Sequence, residues 1–176
     1  MACFTANTNK SFTLYYNLLE YFRVIMTNHP SLNRVTQGDI FSIDIDEYPT
    51  YPIGNIMVTN TAFNDKNTVF TCQLTVADKV KLRNNESVGE RNEDTIAFYG
   101  TDDLVDIHSN TLNILNDLIA YTQLSPTTDA FEISTVINCV PFRDNFDNGL
   151  AGWVATFDLV THNNRDRCLY NLLGDC

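Results

Sequence analysis

The stretch from residue 53 to residue 77 constrains the fold of this chain more than any other. Its second half alternates between an apolar set and a mostly polar set of side chains: Phe70, Cys72, Leu74 and Val76 against Val69, Thr71, Gln73 and Thr75. A period of two is the signature of a strand with one buried face. The Asn-Asp-Lys-Asn run at 64–67 predicts a turn between two such strands, because Asn and Asp side chains bond their own backbone. The resulting β-hairpin needs an apolar cover, since an isolated hairpin is only marginally stable in water.

Two amphipathic helices are predicted to supply this cover. The first is expected from about Ser11 to just before His29-Pro30, with an apolar stripe widened by Leu18 and Ile25: Phe12, Tyr15, Leu19, Phe22 and Met26. The second is expected to be capped by Thr101 or Asp102 and to end before Ser125-Pro126. Its buried stripe is Leu104, Ile107, Thr111, Ile114 and Leu118, and its polar side carries His108.

Three further strands complete the predicted sheet. After a polar connection at 33–38, apolar Phe41, Ile43 and Ile45 alternate with Ser42, Asp44 and Asp46, which gives a first strand with an acidic outer face. After the second helix, strands are expected over 131–139 and 153–159. The order is helix, three strands, helix, two strands. The predicted fold class is therefore α+β, a mainly antiparallel sheet with both helices packed on one face.

The expected core takes one residue or more from each apolar stripe. It consists of Phe12, Leu19, Phe22, Phe41, Ile43, Phe70, Leu74, Leu104, Ile114, Leu118, Ile137, Trp153 and Phe157. With 176 residues, of which 44% are hydrophobic, the chain is expected to form one domain over 1–176.

Two segments stand apart from the periodic elements. The segment 79–100 is charged and aperiodic, and loops of this length are usually functional or disordered. It is interpreted as a loop that contacts a partner or a neighbouring subunit, with Arg83, Glu90, Arg91, Phe98 and Tyr99 as the candidate contact residues; a purely solvated loop is the alternative. The segment 162–176 is expected to be a short C-terminal tail.

The charge balance excludes some classes of partner. The net charge of −11 repels phosphate, which argues against tight or sequence-specific nucleic-acid binding. An acidic surface that keeps the protein in solution explains the charge, and so does an acidic wall along which DNA slides without sticking. The five widely spaced cysteines predict reduced thiols rather than disulfides or a zinc site. No apolar run is long enough to suggest a membrane span.

Residues that could carry chemistry do not form a recognisable motif. Asp44 and Asp46 share one strand face about 6–7 Å apart and could hold a divalent ion, but an ordinary solvated face explains them as well. The three histidines, His29, His108 and His162, lie far apart, and no glycine-rich phosphate loop is present. The chain is therefore predicted not to be an enzyme and to need no cofactor. A small cytosolic enzyme or ligand-binding domain with an unmarked pocket remains the alternative.

Three segments together resemble the tail terminator family of tailed bacteriophages. They are His-Pro-Ser-Leu-Asn-Arg-Val-Thr-Gln-Gly-Asp-Ile-Phe at 29–41, Pro-Ile-Gly-Asn-Ile-Met-Val at 52–58, and Phe-Arg-Asp-Asn-Phe-Asp-Asn-Gly-Leu-Ala-Gly-Trp at 142–153. The family patterns are "HP…V..GD", "P..HI.V" and "PF.DRF.N.L.GW". The chain departs from them at Asn145, where arginine is expected, and at Gly54-Asn55, where the family has a small residue and histidine.

The resemblance implies a virion structural protein. Family members form hexameric rings at the head-proximal end of the tail, where they stop tail-tube growth and present a surface to the head connector. The implied partners are further copies of the chain and neighbouring neck, connector or tail-tube proteins, and genomic DNA passes through without specific binding. If the acidic strand face lines the ring, Asp44 and Asp46 line the DNA channel. A head–tail connector or a tail-tube component is the nearest alternative, and the expected location is the virion, after assembly in the host cytoplasm.

Overall fold

A six-stranded open sheet forms the framework of the described part of the molecule. The computed structural model describes residues 14–39, 50–64, 67–80, 103–124, 131–133, 136–143 and 149–162. Along them the elements follow in the order α1 (Leu14–Thr27), β1 (Arg34–Gln37), β2 (Ile53–Phe63), β3 (Asn67–Lys79), α2 (Leu104–Leu124), β4 (Glu132–Ile133), β5 (Asn138–Arg143) and β6 (Leu150–His162). The predicted α+β class is confirmed.

The sheet has the strand order β1-β2-β3-β6-β4, and β5 also pairs with β6. β1 runs parallel to β2, and every other pairing is antiparallel. The predicted hairpin is β2–β3, which pairs Ile53 with Ala77 at one end and Phe63 with Thr68 at the other. The Asn64 N–H donates to the Asn67 carbonyl at 2.8 Å and so closes the hairpin where the polar run predicts a turn.

Both helices pack on the same face of this sheet, as predicted. Along β3 this face carries Phe70, Cys72, Leu74 and Val76, all buried. Leu18, Phe22 and Met26 of α1 and Leu115 and Leu118 of α2 join them in one apolar cluster. The Phe22 and Phe157 rings lie 5.9 Å apart, which places the middle of α1 over the centre of the sheet.

Polar contacts fix the start of α2 on β5 and β6. The Ile107 N–H donates to the Asp103 carbonyl at 3.0 Å, which puts Asp103 at the N-cap position. Trp153 Nε1 donates to the His108 carbonyl at 2.9 Å. His108 Nε2 lies 3.3 Å from the Phe142 carbonyl oxygen, and its ring meets the Trp153 ring edge-on at 5.9 Å. The placement of His108 on the polar side of the helix was therefore wrong, since this side chain is half-buried between helix and sheet.

The strand boundaries differ from the prediction in two places. The polar connection predicted at 33–38 contains β1, because Thr36 and its neighbours pair with residues 53–56 although only Val35 is apolar. The strand predicted over 131–139 is divided into β4 and β5, and both pair with β6. The strand predicted at 41–45 and the caps at Thr101 and Asp102 lie outside the described residues.

Most of the predicted core residues that the structure describes are buried. Phe22, Phe70, Leu74, Ile114, Leu118 and Phe157 are buried, whereas Leu19, Ile137 and Trp153 are half-buried against the core. Leu104 is half-buried as well, and Phe12, Phe41 and Ile43 lie outside the described residues. The stripe predicted for α1 is wrong at Tyr15, which is 51% exposed, and it omitted Tyr21, which is buried, whereas Leu18, Phe22, Ile25 and Met26 are buried as predicted.

Candidate interaction surface

The face of the sheet opposite the helices has a buried half and an open half. Ile53, Ala77 and Leu150 are buried on this second face, outside the main apolar cluster. Asn55 is 1% exposed beside them, and its Nδ2 donates to Thr36 Oγ1 at 3.0 Å. This bond satisfies a donor of the buried amide and ties β1 to β2.

The open half of the second face is made of β-branched and small polar residues. On β3 and β6 it consists of Val69, Thr71, Gln73, Val154, Thr156, Asp158 and Val160. Asp158 is the single charged side chain among these seven, and its carboxylate accepts a hydrogen bond from Thr71 Oγ1 at 2.8 Å. Glu132 of β4, which pairs with Val160 and is exposed, adds a second carboxylate to this half of the face.

One edge of the sheet is formed by the short strand β1 and, beyond it, by β2. β1 covers β2 only along Ile53–Ile56. From Met57 onward, no strand in the described part of the chain pairs with the outer side of β2. Residues 57–62, called here the outer β2 edge, contain neither a charged residue nor a proline. A bulge between Val58 and Asn60 leaves Thr59 without a partner residue across the ladder, and its Oγ1 donates to the Thr71 carbonyl at 3.1 Å.

The opposite edge, formed by β4 and β5, is chemically different. β4 has two residues, and β5 has Pro141 in its interior and Arg143 at its end. Proline lacks the N–H that a ladder needs, and charge and short length also discourage pairing at an edge. Two of the usual protections against strand pairing, proline and charge, are thus present on β5 and absent from the outer β2 edge.

The three segments that carry the family resemblance meet at one end of the sheet. Arg34 pairs with Ile53, Ile53 with Ala77, Ala77 with Gly152, and Gly152 with Phe142. These pairs form one row across five strands, four of which contribute a resemblance segment. Segments more than a hundred residues apart in the chain therefore build one local structure.

The candidate site residues predicted from the sequence all lie outside the described residues. These are Asp44, Asp46, Arg83, Glu90, Arg91, Phe98 and Tyr99. The structure therefore neither brings them together nor separates them. It does place the start of the 79–100 segment, because Lys79 ends β3 opposite Leu150 and the Val80 N–H donates to the Gly149 carbonyl at 2.7 Å.

The contacts of His29 and the burial of Cys72 and Cys139 indicate structural roles for these residues. His29 Nδ1 accepts the Ser31 N–H at 3.2 Å, so a neutral ring carries its proton on Nε2, which lies 3.7 Å from Asp117 Oδ2. This pair links the end of α1 to α2. Cys72 is buried and Cys139 half-buried, and both are free thiols. In the described ranges, no group of three or more His, Cys, Asp or Glu side chains could hold a metal ion.

The sequence prediction missed the outer β2 edge as a functional candidate. The one signal for it was a run without charge or proline at 57–62, which a buried central strand would also show. Only the strand order distinguishes the two, and it was not predicted because the short, polar β1 has too few apolar residues for a period.

Two comparisons with known proteins found no match for the chain. No known protein-family model matches it, and no curated protein is significantly similar to it. Among the described helices, none is both long and apolar enough to cross a membrane.

Proposed function

We propose that this chain is a structural subunit of a bacteriophage tail or neck ring, with the tail terminator as the specific role. In this role, copies of the chain close a hexameric ring at the head-proximal end of the tail, end tube growth and present a surface to the head connector. The ring binds other copies and neighbouring neck or tube proteins, and carries no catalytic centre.

The observation that carries the proposal is the meeting of the three resemblance segments in one row of the sheet. If the resemblance were due to chance, the segments 29–41, 52–58 and 142–153 would not be expected to lie together in the fold. Here the segments supply four of the five strands in one row, on both sides of β3, and Gly152 lies against β3 where a side chain would not fit. The likeness therefore concerns a structural unit rather than scattered residues.

The distribution of surface chemistry is compatible with a ring. Both helices cover one face of the sheet, so the open half of the other face and the outer β2 edge are exposed surface that neighbours could contact. Acidic walls suit a passage for DNA, because they avoid the counterion-releasing contacts that hold nucleic acid. The lining of such a channel by Asp44 and Asp46 stays a prediction.

The first test is the assembly state of the purified full-length chain. We expect closed rings of six 20.0-kDa copies in electron micrographs and a matching mass by light scattering. A single 20.0-kDa species at every concentration, binding a metabolite, would support the small-enzyme or ligand-binding alternative instead.

The position of the ring in the virion needs a second experiment. Removal of the gene from its phage is expected to give tails of uncontrolled length that do not join heads. Filled heads that leak DNA would indicate a head–tail connector, and the absence of any tail tube would indicate a tube component.

A further inference from the structure

We infer that the C-terminal segment 163–176 binds to an aromatic patch at one end of the helix-covered face of its own chain. The patch, called here the aromatic end, consists of Tyr15, Tyr16 and Phe63. The inference goes beyond the proposed ring and does not rest on it, because the contact is made within a single chain.

The aromatic end concentrates exposed apolar surface. Tyr15, Tyr16 and Phe63 are 51%, 65% and 66% exposed, and they are three of the four large aromatic side chains that are exposed among the described residues. Single exposed apolar side chains are ordinary on a protein surface, whereas several together mark an interaction site. The clustering therefore calls for a binding partner.

Strand pairing and one ring contact bring these side chains to the same end of one face. Phe63 pairs with Thr68, which lies two residues from Phe70 on β3 and therefore shares its face. The ring centroids of Tyr15 and Phe70 lie 6.5 Å apart, which places the start of α1 over this end of the sheet. Tyr16 follows on the first turn of the helix. The aromatic end thus joins the start of α1 to the tip of the β2–β3 hairpin.

The C-terminal segment begins beside the aromatic end. Strand β6 ends at His162, and the preceding Thr161 pairs with Thr68, which in turn pairs with Phe63. Thr161 and Phe63 are therefore two strand spacings apart, which is about 10 Å. Roughly three or four residues of extended chain cover that distance. The later residues of 163–176 can therefore reach the patch.

The composition of this segment suits an aromatic surface. Five of the six residues at 168–173 are apolar: Cys168, Leu169, Tyr170, Leu172 and Leu173. The other segment that leads to the patch, 5–13 before α1, has only Ala6 and Phe12 as apolar residues among nine. Burial of apolar side chains is the main driving force for such a contact, so 168–173 is the better occupant.

Connectivity favours the segment of the same chain over that of a second copy. Two copies that each carry a net charge of −11 repel one another. A short connection to β6 instead gives the segment an effective concentration on the order of millimolar at the patch. The contact is therefore expected in the single chain, at any protein concentration.

Photo-crosslinking of the full chain tests which residues lie on the patch. One variant carries p-benzoylphenylalanine in place of Phe63, and the control carries it in place of Val140, which is 61% exposed on the opposite face. Trypsin cleaves after Arg167, so a cross-link to the apolar run appears on the fragment that begins at Cys168. We expect this product at the monomer mass of 20.0 kDa from the Phe63 position. Its yield should be at least about tenfold higher than from Val140. Cross-links to 1–13, cross-links between chains, equal yields or none would overturn the inference.

An apolar dye gives a second measurement that keeps the aromatic end unchanged. Leu169→Asp combined with Leu172→Asp should release the segment and raise dye fluorescence at least about twofold, because the patch becomes uncovered. Asn163→Asp combined with Asn171→Asp is the control, since it adds the same two charges and removes no apolar side chain. Equal dye signals from the two double variants would mean that 168–173 does not cover the patch, whether or not the protein forms rings.

Discussion

At the scale of single residues, Cys72 shows how the sheet determines the chemistry of a side chain. It lies on the helix-covered face opposite Phe157 and is fully buried. Burial, with a smaller contribution from the charge of Asp158, raises the pKa of the Cys72 thiol to about 12. The thiolate is the reactive form of cysteine, so this residue acts as a small apolar core residue and not as a nucleophile.

The raised pKa predicts a loss of stability at alkaline pH. The unfolded thiol ionises near 9.0, whereas the folded thiol stays protonated up to about 12. The unfolded state therefore loses its proton first, and the contribution of Cys72 is complete below pH 9 and is lost between pH 9 and pH 12. The free energy of unfolding should fall by up to about 1.4 kcal/mol per pH unit relative to Cys72→Ala.

Urea titrations of the wild type and of Cys72→Ala measure this difference. They are made at about pH 8, 9 and 10, because these values bracket the ordinary thiol pKa in roughly one-unit steps. Cys139→Ala is the control, because burial also raises the pKa of Cys139 but its half-buried side chain reaches solvent. A gap between the wild type and Cys72→Ala that stays constant over this range would contradict the burial of a protonated thiol.

At the scale of elements, the space around Gly54 and Gly152 shows how closely β2 and β6 approach their neighbours. A Cβ on Gly152 would lie 1.9 Å from the Val76 carbonyl oxygen and 2.8 Å from Ala77 Cα, both in the backbone of β3. A Cβ on Gly54 would meet only the ends of the Leu32 and Met26 side chains, at 3.0 Å. Strand β6 thus approaches β3 so closely that only glycine fits, whereas β2 faces side chains that can move.

This difference predicts unequal costs for the same added methyl group. Gly152→Ala should destabilise the protein by about 3 kcal/mol or more, because strand backbone must shift. Gly54→Ala should cost about 1 kcal/mol, since flexible side-chain ends can adjust. Denaturant unfolding of the two variants measures the gap, and a Gly152→Ala protein as stable as Gly54→Ala would show that β6 does not pass so close to β3.

The same scale shows which elements the sequence could predict. The period of two over 69–76 predicted β3 and its buried face correctly, because a strand with one buried face alternates apolar and polar residues. Strand β1 was missed because its pairing with β2 is made by backbone atoms and by Thr36 with Asn55, neither of which leaves an apolar period. The prediction for α1 was wrong at Tyr15, because a large aromatic side chain can lie at the border of a buried face and keep its hydroxyl in water.

The candidate surface was less predictable than the fold, and for a physical reason. Whether 57–62 lies in the middle of a sheet or at its edge depends on the strand order, which the alternation does not contain. Proline at 141 was visible in the sequence, but its meaning as edge protection follows only once β5 is known to pair with β6 alone among the described strands.

At the scale of the whole molecule, charge and open sheet surface oppose each other. A net charge of −11 keeps copies apart, whereas the uncharged outer β2 edge and the open half of the second face, which carries only Asp158 and Glu132 as charged residues on the described strands, leave surface for contact. Assembly then depends on the balance between long-range repulsion and short-range pairing. Salt screens the repulsion and so shifts this balance towards contact.

Raising the salt concentration should therefore strengthen association of the full chain. Between about 0.05 M and 0.5 M NaCl the screening length falls well below the size of the protein, and repulsion between copies is largely removed. Sedimentation velocity should show the monomer fraction falling as NaCl rises. Sodium sulfate at equal ionic strength is the control, because screening depends on ionic strength, whereas a much stronger effect of sulfate would point to apolar burial as the main driving force. Association that weakens as salt rises would mean that ion pairs hold the copies together, which would contradict the view that net charge opposes assembly.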